Sequence, residues 1–155
     1  MYYQLSLAPE AEQYILQQLE ADFPNEGCGF FYGTEENEGQ LRHVLLAEAV
    51  INSKEGDQRR RFEISPLDYM KAEKKALELG LNLLGIYHSH PNHPAIPSIH
   101  DLKQAVPYFS YIILSVQEGQ AAELTSWRLN EERGEFEAEE VKRNNLEALP
   151  KRELI

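Results

Sequence analysis

The sequence predicts a single α/β domain, and three observations carry that prediction. Apolar residues recur at helical spacing near the start, at Ala11, Ile15, Leu19 and Phe23, with Tyr14 beside them. A second helix start is written in Ser65-Pro66-Leu67-Asp68, with Ser as N-cap, Pro at the first helical position and Asp at the third. Between and after these lie apolar runs of strand length at 27–32, 83–87 and 109–116. Helices and strands alternate along the chain without internal repeats or low-complexity linkers.

In order, residues 8–22 read as an amphipathic helix with Pro9 in its tolerant first turn, stopped by Pro24-Asn25. A short apolar strand over 27–32 has Glu26 at its mouth, and a polar turn over 33–39 leads into a longer strand over 41–51. After a loop containing Lys54-Glu55-Gly56-Asp57, residues 61–64 read as a further strand. The second helix runs to Leu79 and ends at Gly80. Residues 83–87 are then a central buried strand that delivers His88 and His90 at its carboxyl end. Pro91, Pro94 and Pro97 stiffen the loop beyond, and a helix over 99–105 is ended by Pro107. Strands at 109–116, 122–129 and 135–141 complete the domain, which is expected to occupy 1–143 with 144–155 as a polar tail.

Composition narrows the function classes. At 155 residues the chain is the size of one domain and buries a proper core. With 42% apolar and 26% charged residues it reads as an ordinary soluble protein, and no segment approaches the ~18 consecutive apolar residues of a membrane span. The start, Met1-Tyr2-Tyr3-Gln4-Leu5, lacks the basic end and apolar stretch of a signal peptide, so a cytoplasmic location is expected. One cysteine builds no internal disulfide framework. A net charge of −11, from 15 basic and 26 acidic residues, argues against a nucleic-acid partner. The one basic cluster, Arg59-Arg60-Arg61, has two open readings: a solvated strand edge, or a group that orders a substrate tail or the loop over a cleft.

The chemistry concentrates in His88-Ser89-His90-Pro91 and Ser98-Ile99-His100-Asp101. Two neutral imidazoles and one carboxylate give three corners of a tetrahedral zinc site, and a fourth corner left open for water means catalysis. Taken alone, Ser98-x-x-Asp101 is equally a capping box, and the two roles are compatible because a carboxylate has two oxygens. His88 and His90, at i and i+2, share one face of a strand.

H-S-H, a seven-residue spacer, then S-x-x-D resembles the JAMM motif of the MPN-domain metalloproteases, whose remaining member is an upstream glutamate; Glu26 fits that place. The segments E-G-C-G-F-F-Y-G at 26–33, R-R-F-E-I-S-P at 60–66, L-L-G-I-Y-H-S-H-P at 83–91 and Y-I-I-L-S-V at 111–116 are similar to compact bacterial members of the family. The resemblance implies a curved mixed sheet flanked by helices, similar in build to cytidine deaminases. It also implies one zinc held by His88, His90 and Asp101, a water activated by Glu26, and an oxyanion stabilised by Ser98. Glu26 in that role is a general base and then a general acid.

Other candidates have simpler readings. Cys28 lies inside an apolar strand, as a buried small hydrophobe does. His93 falls in the spacer, His100 points elsewhere from the first helical turn, and His43 is exposed on a strand away from the motif. The resemblance implies hydrolysis of a peptide or isopeptide bond after the C-terminal Gly-Gly of a ubiquitin-like sulfur-carrier protein, whose tail lies as an added strand along a sheet edge. The alternatives are a small-molecule amidase or deaminase using the same zinc water, and a non-catalytic MPN scaffold. The first lacks the H-x-E and P-C-x-x-C signature of zinc deaminases, and the second is disfavoured because all five motif positions are filled.

Overall fold

A computed structural model describes residues 2–132 and 134–143, so the expected tail over 144–155 lies outside the described residues. Among the described residues, three helices and seven strands follow in the order β1 (Gln4–Leu7), α1 (Pro9–Asp22), β2 (Cys28–Glu36), β3 (Leu41–Val50), α2 (Pro66–Leu79), β4 (Asn82–Pro91), α3 (Ile99–Gln104), β5 (Ser110–Gln117), β6 (Gln120–Asn130) and β7 (Glu135–Arg143). The α/β class is as expected. The sheet is mixed and closes on itself in the order β1-β3-β2-β4-β5-β6-β7, with β1 parallel to both β3 and β7, and β4 parallel to β5.

Local sequence sets the helix ends. Ser65 Oγ accepts from the Asp68 N–H at 3.1 Å to start α2, and Gly80 adopts φ 69° to end it. Helix α1 begins at Pro9 without a side-chain cap. Its Ile15 and Leu19 pack with Leu5, Leu7, Phe31, Tyr87 and Ile112 in one buried cluster. The opposite faces of the same strands supply a second cluster, in which Phe30, Tyr32, Ile86 and Tyr111 meet Ala72 and Ala76 of α2. Burial on both faces is why β2 and β5 read as continuous apolar runs rather than alternating ones.

Four sequence expectations change. Strand β1 was not anticipated, although Leu5 and Leu7 alternate with the less buried Gln4 and Ser6. Strand β2 continues to Glu36, because pairing with β3 extends to Glu36 opposite Leu41, and the turn is confined to the residues after it. Residues 61–64 form no ladder strand; the segment is held instead by Asn52, whose Nδ2 donates to Arg61 O and whose Oδ1 accepts from Glu63 N–H, and by Ser53 N–H, which donates to Glu63 O. Strand β4 runs on to Pro91, so His88 and His90 sit within a paired strand, opposite Ile113 and Ser115 of β5, rather than beyond its end.

Candidate metal centre

Strand β4 turns His88 and His90 to one face and Ser89 to the other. The far face anchors the upstream segment: Ser89 Oγ accepts from Gly27 N–H at 2.9 Å, and Ser89 N–H donates to Gly27 O at 3.1 Å. A Cβ at Gly27 would lie 2.2 Å from Asp22 Oδ2 and 2.7 Å from Leu19 Cδ2, so those side-chain ends would have to shift to admit one. Glu26 is thereby fixed beside the histidine strand. Its N–H donates to Gln58 O at 2.7 Å and its carbonyl accepts from Asn52 Nδ2 at 3.0 Å.

Asp101 arrives from the other direction on α3. Ser98 Oγ accepts from Asp101 N–H at 2.9 Å and Ser98 N–H donates to Asp101 Oδ2 at 2.9 Å, a complete capping box. The same carboxylate meets both imidazoles: Oδ1 lies 3.3 Å from His88 Nε2, and Oδ2 3.2 Å from His90 Nε2. The two Nε2 atoms are 3.1 Å apart. Donors 2.0–2.1 Å from one tetrahedral ion stand about 3.3 Å from each other. The three side chains therefore hold the spacing of a zinc coordination shell, and among the described residues they are the one group of His, Cys, Asp and Glu that could hold a metal ion.

Hydrogen bonds aim the ligands. His90 Nδ1 donates to Pro94 O at 2.8 Å, which turns Nε2 toward Asp101 and His88; burial works to lower the His90 pKa, but Asp101 and Pro94 O outweigh it and raise it. Burial lowers the His88 pKa against the pull of Asp101. Burial alone would raise the Asp101 carboxyl, but His88, His90 and the Ser98 amide overcome it and hold it well below the usual carboxylate range. Burial pushes the Glu26 carboxyl up to about 8, with His90 opposing and Asp101 adding to the shift.

Glu26, His90 and Ser98 line one cleft of about 430 Å³, and Arg59, Arg60 and Arg61 line it with them. The basic cluster thus faces the cleft from a turn and the extended segment after it. A second cavity of about 330 Å³ reaches His88 and Asp101 through Phe62, Ile64, Tyr69, Ile86 and Tyr111. His93 borders the first cleft without joining the donor group, while His100 Nε2 pairs with Gln104 at 2.7 Å. Cys28 is fully buried, opposite His88 on the neighbouring strand. Three residues with clear work here, Ser89, Asn52 and Phe62, carried little sequence signal. Only Ser89 was traceable, as the residue whose face the two histidines leave free.

A family model described as prokaryotic homologs of the JAB domain matches residues 9–130, which include every residue of this site. A probable TtuB-protein conjugate cleaving protease of Thermus thermophilus is 33% identical over 111 residues, covering 70% of this chain and 67% of that protein. A CysO-cysteine peptidase of Mycobacterium tuberculosis is 27% identical over 135 residues, covering 82% and 84%. The solution structure of a protein from Desulfitobacterium hafniense superimposes with a TM-score of 0.78 at 26% identity, covering 91% of this chain and 93% of that one.

Proposed function

Because the chain belongs to the family of prokaryotic JAB-domain homologs, we propose that it is a zinc-dependent peptidase cutting after the C-terminal Gly-Gly of a ubiquitin-like sulfur-carrier protein. The observation that carries the chemistry is the set of His88, His90 and Asp101 donors 3.1–3.3 Å apart. Relatives that cleave TtuB-protein conjugates or act as a CysO-cysteine peptidase support the substrate class. No helix among the described residues is long and apolar enough to cross a membrane.

When bound, zinc supplies hydroxide at neutral pH and a Lewis acid for the scissile carbonyl. Glu26 takes the proton released during attack and passes it to the departing nitrogen. In the metal-free protein burial raises this carboxyl, favouring the protonated form that it takes up during the cycle. Ser98 Oγ already accepts from the Asp101 amide, so its own hydroxyl proton is free to be donated to the developing oxyanion. His90, fixed by Pro94 O, and Asp101, fixed by the α3 cap, keep the donors in place without reorganisation.

The test is to incubate the protein with sulfur-carrier proteins extended past Gly-Gly and read intact masses with and without chelator. Chelator-sensitive loss of the extension is expected. No cleavage of any carrier fusion, alongside turnover of small acyl amides, would favour an amidase instead.

A further inference from the structure

We infer that Arg59, Arg60 and Arg61 form a carboxylate-binding subsite on the leaving-group side of the scissile bond, so that the favoured leaving group is a single amino acid with a free α-carboxylate. The inference rests on the proposed function and specifies its substrate. A lysine side chain released from an isopeptide bond carries no anion near the departing nitrogen, whereas an α-carboxylate is separated from that nitrogen by one carbon.

Three observations combine. First, the cluster is a local reversal of charge in a chain of net charge −11, and it is turned into the cleft that Glu26, His90 and Ser98 line. Second, the segment is built onto Glu26. The Asn52 side chain donates from Nδ2 to both Glu26 O and Arg61 O at 3.0 Å, Gln58 O accepts from Glu26 N–H, and Gln58 Nε2 donates to Asn52 O and Lys54 O. Third, positive charge is left over. Asp57 stands 3.7 Å from Arg60 Nε with both side chains exposed, Glu63 is taken by Lys54, and Arg61 Nη1 donates only to the neutral Arg60 carbonyl. The Arg59 guanidinium meets no acid among the described residues.

The side of the bond follows from proton transfer. Hydrolysis adds the water's OH to the carbonyl carbon and its remaining proton to the nitrogen, giving a new glycine carboxylate and a free amine. Glu26 delivers that proton, so the amine leaves on the Glu26 side; of the two cavities that Glu26 borders, the one lined by the arginines is the one that also holds His90 and Ser98. The aromatic cavity beside His88 and Asp101 has no arginine and suits the acyl side. A guanidinium fork matches a carboxylate in two parallel hydrogen bonds, a geometry that an isolated amine or amide does not satisfy.

The experiment compares a ubiquitin-like carrier ending in Gly-Gly-Ala with a free carboxylate and the same carrier ending in Gly-Gly-alaninamide. The zinc-loaded wild type should cleave the acid with kcat/KM at least about tenfold above the amide, the scale of one charged hydrogen bond. In the Arg59→Gln/Arg60→Gln/Arg61→Gln variant, checked for fold by circular dichroism, that ratio should fall to near one. Equal wild-type rates on the two substrates, or a ratio that survives in the variant, overturns the subsite. A variant that weakens both substrates alike from a wild-type ratio near one would instead make the arginines a contact for the carrier body. Should wild type cleave neither substrate, the proposed function fails first. The subsite is then read from calorimetric affinities of the two carriers for Glu26→Gln, where equal affinities overturn it.

Discussion

The Phe62 ring stacks on the His88 imidazole, with centroids 4.6 Å apart and planes inclined by 26°. This contact matters because His88 Nδ1 is buried and meets no hydrogen-bond acceptor among the described residues. Metal-binding imidazoles are ordinarily oriented by a carbonyl or carboxylate at their second nitrogen, as His90 is by Pro94 O. At His88 an aromatic face does that work, and Asn52 in turn holds the segment that carries the face. Phe62→Ala should therefore weaken zinc binding by roughly tenfold although no donor is changed. It should also cost about 3 kcal/mol of stability from the emptied core position. Chelator competition and chemical denaturation measure the two effects separately; unchanged zinc affinity would mean that the strand backbone alone orients His88.

Metal content tests the donor set directly. Wild-type protein should carry close to one zinc per chain, and His88→Ala or Asp101→Ala should lose most of it, by elemental analysis. Equal metal in all three proteins would sink the assignment.

Glu26→Gln preserves size and hydrogen bonding while removing the base. Zinc should be retained and hydrolysis should fall by roughly 10²-fold or more. Near-normal turnover would show Glu26 to be misassigned. Ser98→Ala should retain metal and lose less activity, but it also removes the α3 cap, at about 1 kcal/mol of stability.

In the metal-free protein Glu26 also sets a pH dependence. Burial raises its carboxyl from the ordinary 4.5 to about 8, so the unfolded chain gives up this proton before the folded one does. Its contribution is intact below about pH 4.5 and is lost progressively as pH rises toward 8. Apo wild type should consequently lose melting temperature between pH 5 and pH 8, and apo Glu26→Gln should lose less. Parallel curves for the two proteins would place the carboxyl in water.

Much of this was legible in the sequence because it is local. Helix caps at Ser65 and Ser98, the stop at Gly80 and the helical spacing of Ile15 and Leu19 depend on neighbours a few residues away. The His88, His90 and Asp101 set was legible for the same reason, being two strand positions and one capping position within a short span. Closure of the sheet was not, because β1 gains meaning only from partners at 41–44 and 140–143. The segment over 61–64 misled for the opposite reason: it has the composition of a strand, yet its backbone is held by the Asn52 side chain and by Ser53 rather than by a ladder. Phe62 reads as part of a strand and of the family-like segment over 60–66, and nothing in its surroundings in sequence announces the ring it covers.

Strand β1 is four residues long and lies between β3 and β7, with Leu5 beside Arg42 on one flank and Val141 on the other. On that second flank the first strand waits for the last described one, while residues 26 to 101 are all synthesised before β7. The nascent protein possesses its donors before it possesses its outline, and during that interval the edges of β1 and β6 lack the partner that β7 will supply. Whatever delays that seam exposes a chain with its chemistry already assembled to pairing with its neighbours.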